Sequence, residues 1–293
     1  MRKSLLVPFF AISLTQPVYA VDWFEQNTPL TQAHQHLLED NLPGMFESLV
    51  EVWQSSPTDT LKEHLNSLLI QSLNRDCGKS LTKKTLPNWL TGVKVIRQTI
   101  QSPGRDTYRL VIDIRANVEV KSLAVRKWVD RSVSSDSVFT EISGDGVTNG
   151  GDEKQYQKRY NLTGKLDSGL YQLVVQPAGQ EVWSGWVILG EPIAPQYVRW
   201  SSKENWTVEK VALNNPYCPL PEMNVGLYDY VDGQYQRVWN KTYESDYPNS
   251  LELEGIPNER YVLAVSMNTK RWQGEILVEQ SQTISRTYDI TQE

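Results

Sequence analysis

The sequence predicts a mainly β, multi-domain protein: a small N-terminal α-helical segment followed by two tandem immunoglobulin-like antiparallel β-sandwich domains. Three observations predict it. A motif occurs twice, residues up to about 88 have a helical period, and residues beyond it form short alternating runs separated by turn residues.

The first motif copy is Gly169-Leu-Tyr-Gln-Leu-Val-Val-Gln, followed by Glu181-Val-Trp-Ser-Gly-Trp-Val-Ile-Leu. The second is Arg260-Tyr-Val-Leu-Ala-Val-Ser-Met, followed by Lys270-Arg-Trp-Gln-Gly-Glu-Ile-Leu-Val. Tyr171 and Tyr261 lie 90 residues apart, and Leu166/Ile256, Leu173/Leu263 and Val175/Val265 keep that offset. Gly185/Gly274 and Ile188/Leu277 follow at 89, which makes Trp272 the counterpart of Trp183. Alternating apolar residues on two arms with a polar connection predict a β-hairpin. Two copies at this spacing predict two β-domains, 89–192 and 193–293, each of common domain size. A second match, Trp128-Val-Asp130 with Tyr230-Val-Asp232, falls at a different offset.

The first twenty residues read as an export signal: Arg2 and Lys3, an apolar run from Leu5 to Leu14, and a small-residue cleavage site ending at Ala20. The apolar run is too short to span a bilayer, so the mature chain is expected to be soluble and exported, not membrane-inserted. Net charge is −6, falling to −8 once Arg2 and Lys3 leave with the signal. With no basic run to offset it, that balance argues against nucleic acid as a partner.

Residues 21–88 predict three amphipathic helices. Thr28-Pro29 opens the first, with Leu30, Ala33, Leu37 and Leu38 on one face. Met45, Phe46, Leu49, Val50 and Trp53 stripe the second. Thr60 with Glu63 reads as a capping box for the third, which carries Leu61, Leu65, Leu68, Leu69 and Leu73. A helical bundle packed on the β-domains is preferred to a single tetratricopeptide-like unit, because solenoids need several repeats. His34, His36 and His64 all lie here. His34 and His36 are two apart and cannot chelate as an i, i+4 pair would, so they are read as surface residues.

Cys77 and Cys218 are the only cysteines. In an oxidising compartment such a pair predicts one disulfide, tying the helical segment to the second β-domain; two buried free thiols are the alternative.

Asn27-Thr-Pro-Leu-Thr-Gln-Ala-His-Gln-His-Leu-Leu, with Met45-Phe-Glu and Val52-Trp-Gln, resembles an uncharacterised family of exported proteins from vibrio-like bacteria. That family is often encoded beside a two-component system responding to cell-envelope damage. It has no assigned activity and no catalytic residues to carry over. The resemblance implies a periplasmic address and a role in envelope stress.

No nucleophile motif, metal-ligand spacing or phosphate-binding glycine loop is present, so no catalytic residue, metal or cofactor is expected. Asp145 to Glu153 has oxygen ligands in a glycine-rich loop but lacks the spacing of a calcium loop, and is read as a solvated turn. Ten tryptophans are a high count for this length. Trp183, Trp186, Trp272, Tyr228 and Tyr230 are the candidate binding aromatics, able to stack on sugar rings or anchor a protein partner. The leading expectation is a non-enzymatic periplasmic interaction protein, accessory to envelope-stress sensing, whose partner is an envelope protein or a sensor's extracytoplasmic domain. The alternative is a cell-wall glycan binder, and a carboxylate-dependent glycoside hydrolase ranks last.

Overall fold

A computed structural model describes residues 27–142, 153–191, 194–232, 234–251 and 256–290. The expected export signal, the loop through Asp145 and Asn149, and the 192/193 boundary lie outside the described residues.

Three helices come first: α1 (Pro29–Leu38), α2 (Leu42–Gln54) and α3 (Asp59–Ser72). Thr28 caps α1: its Oγ1 accepts from the Thr31 amide at 3.2 Å, and its own amide donates to Thr31 Oγ1 at 3.0 Å. Asn41 caps α2 by accepting from the Gly44 amide. The predicted Thr60/Glu63 box does not form. Helix α3 starts two residues earlier, behind Thr58, and no side chain caps it. Asp59 in its first turn takes an ion pair from Lys62 at 2.8 Å, and a carboxylate there is favourable at the positive end of the helix dipole. Across α1 and α3, His34 and His64 bring their Nε2 atoms within 2.7 Å, their rings stacked. Only one proton fits between two such nitrogens, so one ring donates and the other accepts.

Among the described residues, fourteen strands follow in three sheets. The largest has eight strands, in the order β12 (Gln234–Tyr243), β11 (Glu222–Val231), β13 (Arg260–Gln273), β14 (Ile276–Asp289), β1 (Leu90–Ser102), β2 (Arg105–Ala116), β6 (Lys154–Leu162), β5 (Ser137–Ile142). A four-stranded sheet runs β4 (Arg131–Ser132), β3 (Val120–Lys127), β7 (Gly169–Pro177), β8 (Trp183–Leu189). The strands β9 (Gln196–Trp200) and β10 (Trp206–Lys210) form a small third sheet. The architecture is thus mainly β with an N-terminal helical layer.

The duplicated motif has a topological echo. The order β4-β3-β7-β8 in one sheet recurs as β12-β11-β13-β14 in the other. Tyr171 donates its hydroxyl to the Asp167 carbonyl at 2.6 Å, and Tyr261 donates to the Pro257 carbonyl at 3.1 Å, four residues upstream in both copies. Asp130 and Asp232, which close the secondary match, both adopt positive φ, 49° and 51°.

The copies diverge in their second arms. Strand β7 ends at Pro177, whereas β13 continues to Gln273 before a two-residue turn. Trp272 therefore lies on the outgoing strand near the hairpin tip, while Trp183 lies on the returning strand β8. The 89-residue pairing of Trp183 with Trp272 is an alignment without a structural counterpart, because the second hairpin is several residues longer on each arm.

That extra length joins the two halves. The first part of β14 pairs with β1 in parallel, from Val93↔Ile276 through Gln101↔Ile284. Ile276 and Val278 fill the first core with Val93, Ile112 and Leu173, whereas Ile284 and Ile290 fill the second with Leu227 and Leu263. The β14 segment thus supplies both cores, and among the described pairings this junction is the parallel exception in an antiparallel sheet. The third core joins the helices to the outer face of the four-stranded sheet through Leu170 and Ile188.

The hairpin tip docks on the chain just after the helices. The Trp272 amide donates to Cys77 O at 2.9 Å and the Gly274 amide to Gly78 O at 3.0 Å. A side chain on Gly78, at φ +89°, would meet Trp272 O, and one on Gly274, at φ +64°, would meet Thr82. Both positions need glycine for conformation and for space. Cys77 is disulfide-bonded to Cys218, as one of the two expected alternatives has it. By the chain-entropy model, closing a loop of this order contributes about 4–5 kcal/mol.

Two buried glutamines tie the large sheet to the layers opposite. Gln273 accepts from the Ile188 amide at 2.9 Å and donates to the Ile188 carbonyl at 2.7 Å. Gln282 does the same with Val198, at 2.9 and 3.0 Å. Each side chain imitates a strand neighbour for one residue of an edge strand, satisfying backbone groups that burial would otherwise leave unpaired. Between them Arg97, 7% exposed, donates to the carbonyls of Gly190 and Leu166.

Replacing Gln282 with Leu should lower stability by about 1–3 kcal/mol, because the Val198 amide and carbonyl lose their partner inside the protein. Gln273→Leu should cost a similar amount, and the two should add within error if they act as separate ties. Urea denaturation checks this, and neutral substitutions would contradict it. The histidine pair predicts a pH effect. Burial first, then the neighbouring His64, holds His34 below its ordinary 6.5. The folded state therefore binds this proton more weakly than the unfolded chain, and the associated stability is present above pH 6.5 and lost as pH falls below it. The melting temperature should drop on acidification more steeply in the wild type than in His34→Gln; parallel curves would contradict the assignment.

Candidate functional site: a polar trough on the eight-stranded sheet

The five candidate aromatics scatter. Trp183 folds across Gly185 and packs against the first core. Trp186 faces the helices, edge-on to Trp128 at 5.6 Å between ring centroids, while Trp128 Nε1 donates to the Gln54 carbonyl at 3.0 Å. Trp272 lies beneath Lys79, whose Nζ is 4.9 Å from the ring centroid. These three indoles join layers of the protein to one another. Tyr228 and Tyr230 lie elsewhere, on the open side of the eight-stranded sheet.

That face is the one turned away from all three cores. Period-two alternation puts Val93 and Val95, Leu110 and Ile112, Leu263 and Val265 inward. It turns outward Gln98 of β1, Arg109 of β2, Arg159 of β6, Asn268 of β13 and Ser281 of β14. Strand registers align these into rows across the sheet: Asn268 opposes Ser281, Ser281 opposes Gln98, and Gln98 opposes Arg109.

The sheet curls, and the rows become the floor of a trough. Strands β12 and β2 are five places apart, so in a flat sheet they would be about 24 Å apart. Yet Arg109 of β2 and Arg237 of β12 line one cavity. A cavity of about 450 Å³ is lined from both sides, by Arg109 and Arg159 of the first half and by Asn224, Tyr228, Arg237 and Asn240 of the second. The ring of Tyr228 lies over Gly226, where a Cβ would come within 2.9 Å of it. Tyr230 and Tyr235 pair at the hairpin end of the same strands, centroids 4.8 Å apart and 60% and 64% exposed.

Electrostatics separates the carboxylates from the guanidiniums. Glu279 is held by Lys94 at 2.7 Å and Glu222 by Lys270 at 2.6 Å. Asp113 accepts from Gln157 at 2.9 Å, and burial raises its carboxyl above the usual value despite that bond and Lys94. Two arginines differ: among the described residues, Nε of Arg109 and Nε of Arg159 are buried and make no hydrogen bond. Burial, then Arg159 and Arg105, pulls Arg109 below its ordinary value. Oδ1 of Asn268, a residue only 4% exposed, is likewise without a partner among them. Buried polar atoms are normally satisfied, and these three, among the unpaired ones in the described residues, share one concavity that an outside molecule can enter.

Arg109, Arg159, Arg237 and Asn268 were not singled out by sequence. Alternating polar residues on a strand indicate only a solvated face, and it is curvature over seven strands that makes this one concave. Among the described residues no group of three or more His, Cys, Asp or Glu is placed to hold a metal ion. Among them, too, no helix is long and apolar enough to cross a membrane.

No curated protein matches the chain. Among solved structures, "Tandem Ig repeats of Dlar" aligns at 13% identity with a TM-score of 0.29, over 67% of this chain and 99% of that one. "Crystal structure of DIP-gamma IG1+IG2" aligns at 12% identity with a TM-score of 0.20, over 69% and 97%. Similarity at that level leaves the strand order and registers above as the description of the fold. A family model described as "Protein of unknown function (DUF2861)" matches residues 23–289, and the chain belongs to that family.

Proposed function

We propose that this protein is an exported, non-enzymatic recognition protein that holds a ligand in the trough of its eight-stranded sheet. The observation that carries this reading is the set of buried, unpaired polar atoms on Arg109, Arg159 and Asn268 within one concavity. Binding fits better than turnover because the acids around the trough are occupied: Glu279 and Glu222 by lysines, Asp113 by an amide. A general acid or base needs a carboxyl free to exchange its proton with substrate.

The address is periplasmic in this reading. The Cys77–Cys218 disulfide supports an oxidising compartment, in keeping with the export signal read from the first twenty residues. The repeated strand order, with a tyrosine hydroxyl returning to the backbone in each copy, supports two immunoglobulin-like sandwiches fused through a shared sheet. An accessory role in envelope-stress sensing adds a protein partner to the ligand. The exposed Val211, Leu213, Tyr217 and Leu220, near Cys218 in the chain, supply the apolar surface where such a partner would be sought.

Immobilised mature protein and an Arg109→Gln/Arg159→Gln double variant, exposed in parallel to envelope extract, test the reading by mass spectrometry of what each retains. The expected result is a species held by the wild type and lost from the folded variant. The same set on both, an empty set included, would overturn it.

A further inference from the structure

The unpaired atoms also specify the ligand's chemistry, if the trough is the recognition face proposed above. Two of them are donors, Nε of Arg109 and Nε of Arg159, fixed on adjacent strands β2 and β6. The third, Oδ1 of Asn268, is an acceptor on the far side of β1 and β14. A bare anion satisfies guanidinium donors and leaves Asn268 without a proton to accept. A neutral hydroxylated molecule satisfies Asn268 but leaves the guanidinium charges of Arg109 and Arg159 without a counter-ion. A ligand carrying both an acid group and hydroxyls satisfies all three.

Size and lining narrow it further. A cavity of about 450 Å³ has room for a few sugar rings, and its lining includes Gln98, Gln157, Asn224, Asn240, Ser266 and Ser281, whose amides and hydroxyls match vicinal sugar hydroxyls. Tyr228 lies across Gly226 on the floor, offering a flat face to pyranose C–H groups. Few apolar side chains line the trough, so it lacks the pockets that anchor a peptide's side chains.

We infer that the trough binds an acidic oligosaccharide, its carboxylates on Arg109 and Arg159, a hydroxyl donating to Asn268, and its rings against Tyr228. The mature protein's net negative charge makes this local cationic lining more selective, since acidic ligands are repelled elsewhere on the surface.

Titration calorimetry with trigalacturonate tests this, with galactotriose, sodium sulfate and a hexaglutamate peptide as comparisons. Trigalacturonate should bind, and galactotriose should bind at least about tenfold more weakly. Arg109→Gln and Arg159→Gln should each weaken the acidic trimer about tenfold, with Arg109→Lys intermediate because lysine keeps the charge but loses the planar fork. Asn268→Leu should weaken it several-fold, while sulfate should neither bind comparably nor displace the trimer. Far-ultraviolet circular dichroism confirms that each variant is folded, and the conservative Arg109→Lys guards against a folding artefact. Equal affinity for the neutral trimer, for sulfate or for hexaglutamate would overturn the assignment, as would unchanged binding in both arginine variants. If trigalacturonate fails to bind but envelope capture still depends on Arg109 and Arg159, the recognition face stands and the acidic sugar falls. If both fail, both fall.

Discussion

The structure depends on the parallel ladder between β1 and β14. Parallel strands cannot be joined by a tight turn, so this pairing brings together the first strand after the helices and the last strand described, with most of the chain as its crossover. Without it, the two halves would share no sheet and would be joined by the chain between β8 and β9, the disulfide and side-chain ties such as Gln273 to Ile188. With it, the second half's last strand becomes a structural strand of the first half's core. Ile276 and Val278 are nearly as buried as the residues native to that core.

Several other features follow from that pairing. Strand β14 reaches β1 only because the β13–β14 hairpin extends past the point where β7 turns. The extension carries its tip to Cys77 and Gly78, which explains two glycines that tolerate no side chain and a disulfide between distant parts of the chain. Gln273 and Gln282 lie on the two arms of this hairpin and tie it to one edge strand in each half. The same continuity makes the trough: two separate sheets would place Arg109 and Arg237 on different bodies, whereas one curled sheet places them in one concavity.

Much of this was legible in the sequence, and the limits are physical. Helical periodicity located three helices, because the apolar stripe that packs them on Leu170 and Ile188 has to recur every turn. The Tyr171/Tyr261 repeat marked equivalent strands because the same hydroxyl-to-backbone bond is made in both. The second arm was misaligned, since Trp183/Trp272 and Gly185/Gly274 match by type while β13 runs on through the position where β7 ends. The strand-pairing partner of β14 leaves no local mark either, because an edge able to accept β1 reads like any other alternating strand. The candidate aromatics illustrate the same limit. Trp186 and Tyr228 are both aromatic residues on strands, and only the helices over one and the curvature around the other set them apart.

Hydrogen exchange across the ladder tests most directly whether the halves form one body. Peptides covering Val93–Gln101 and Ile276–Ile284 should be as protected as both sandwich cores, and should open with them in one cooperative transition. A ladder that exchanges readily while the two cores stay protected and unfold separately would contradict the fused architecture, and with it a trough built from both halves.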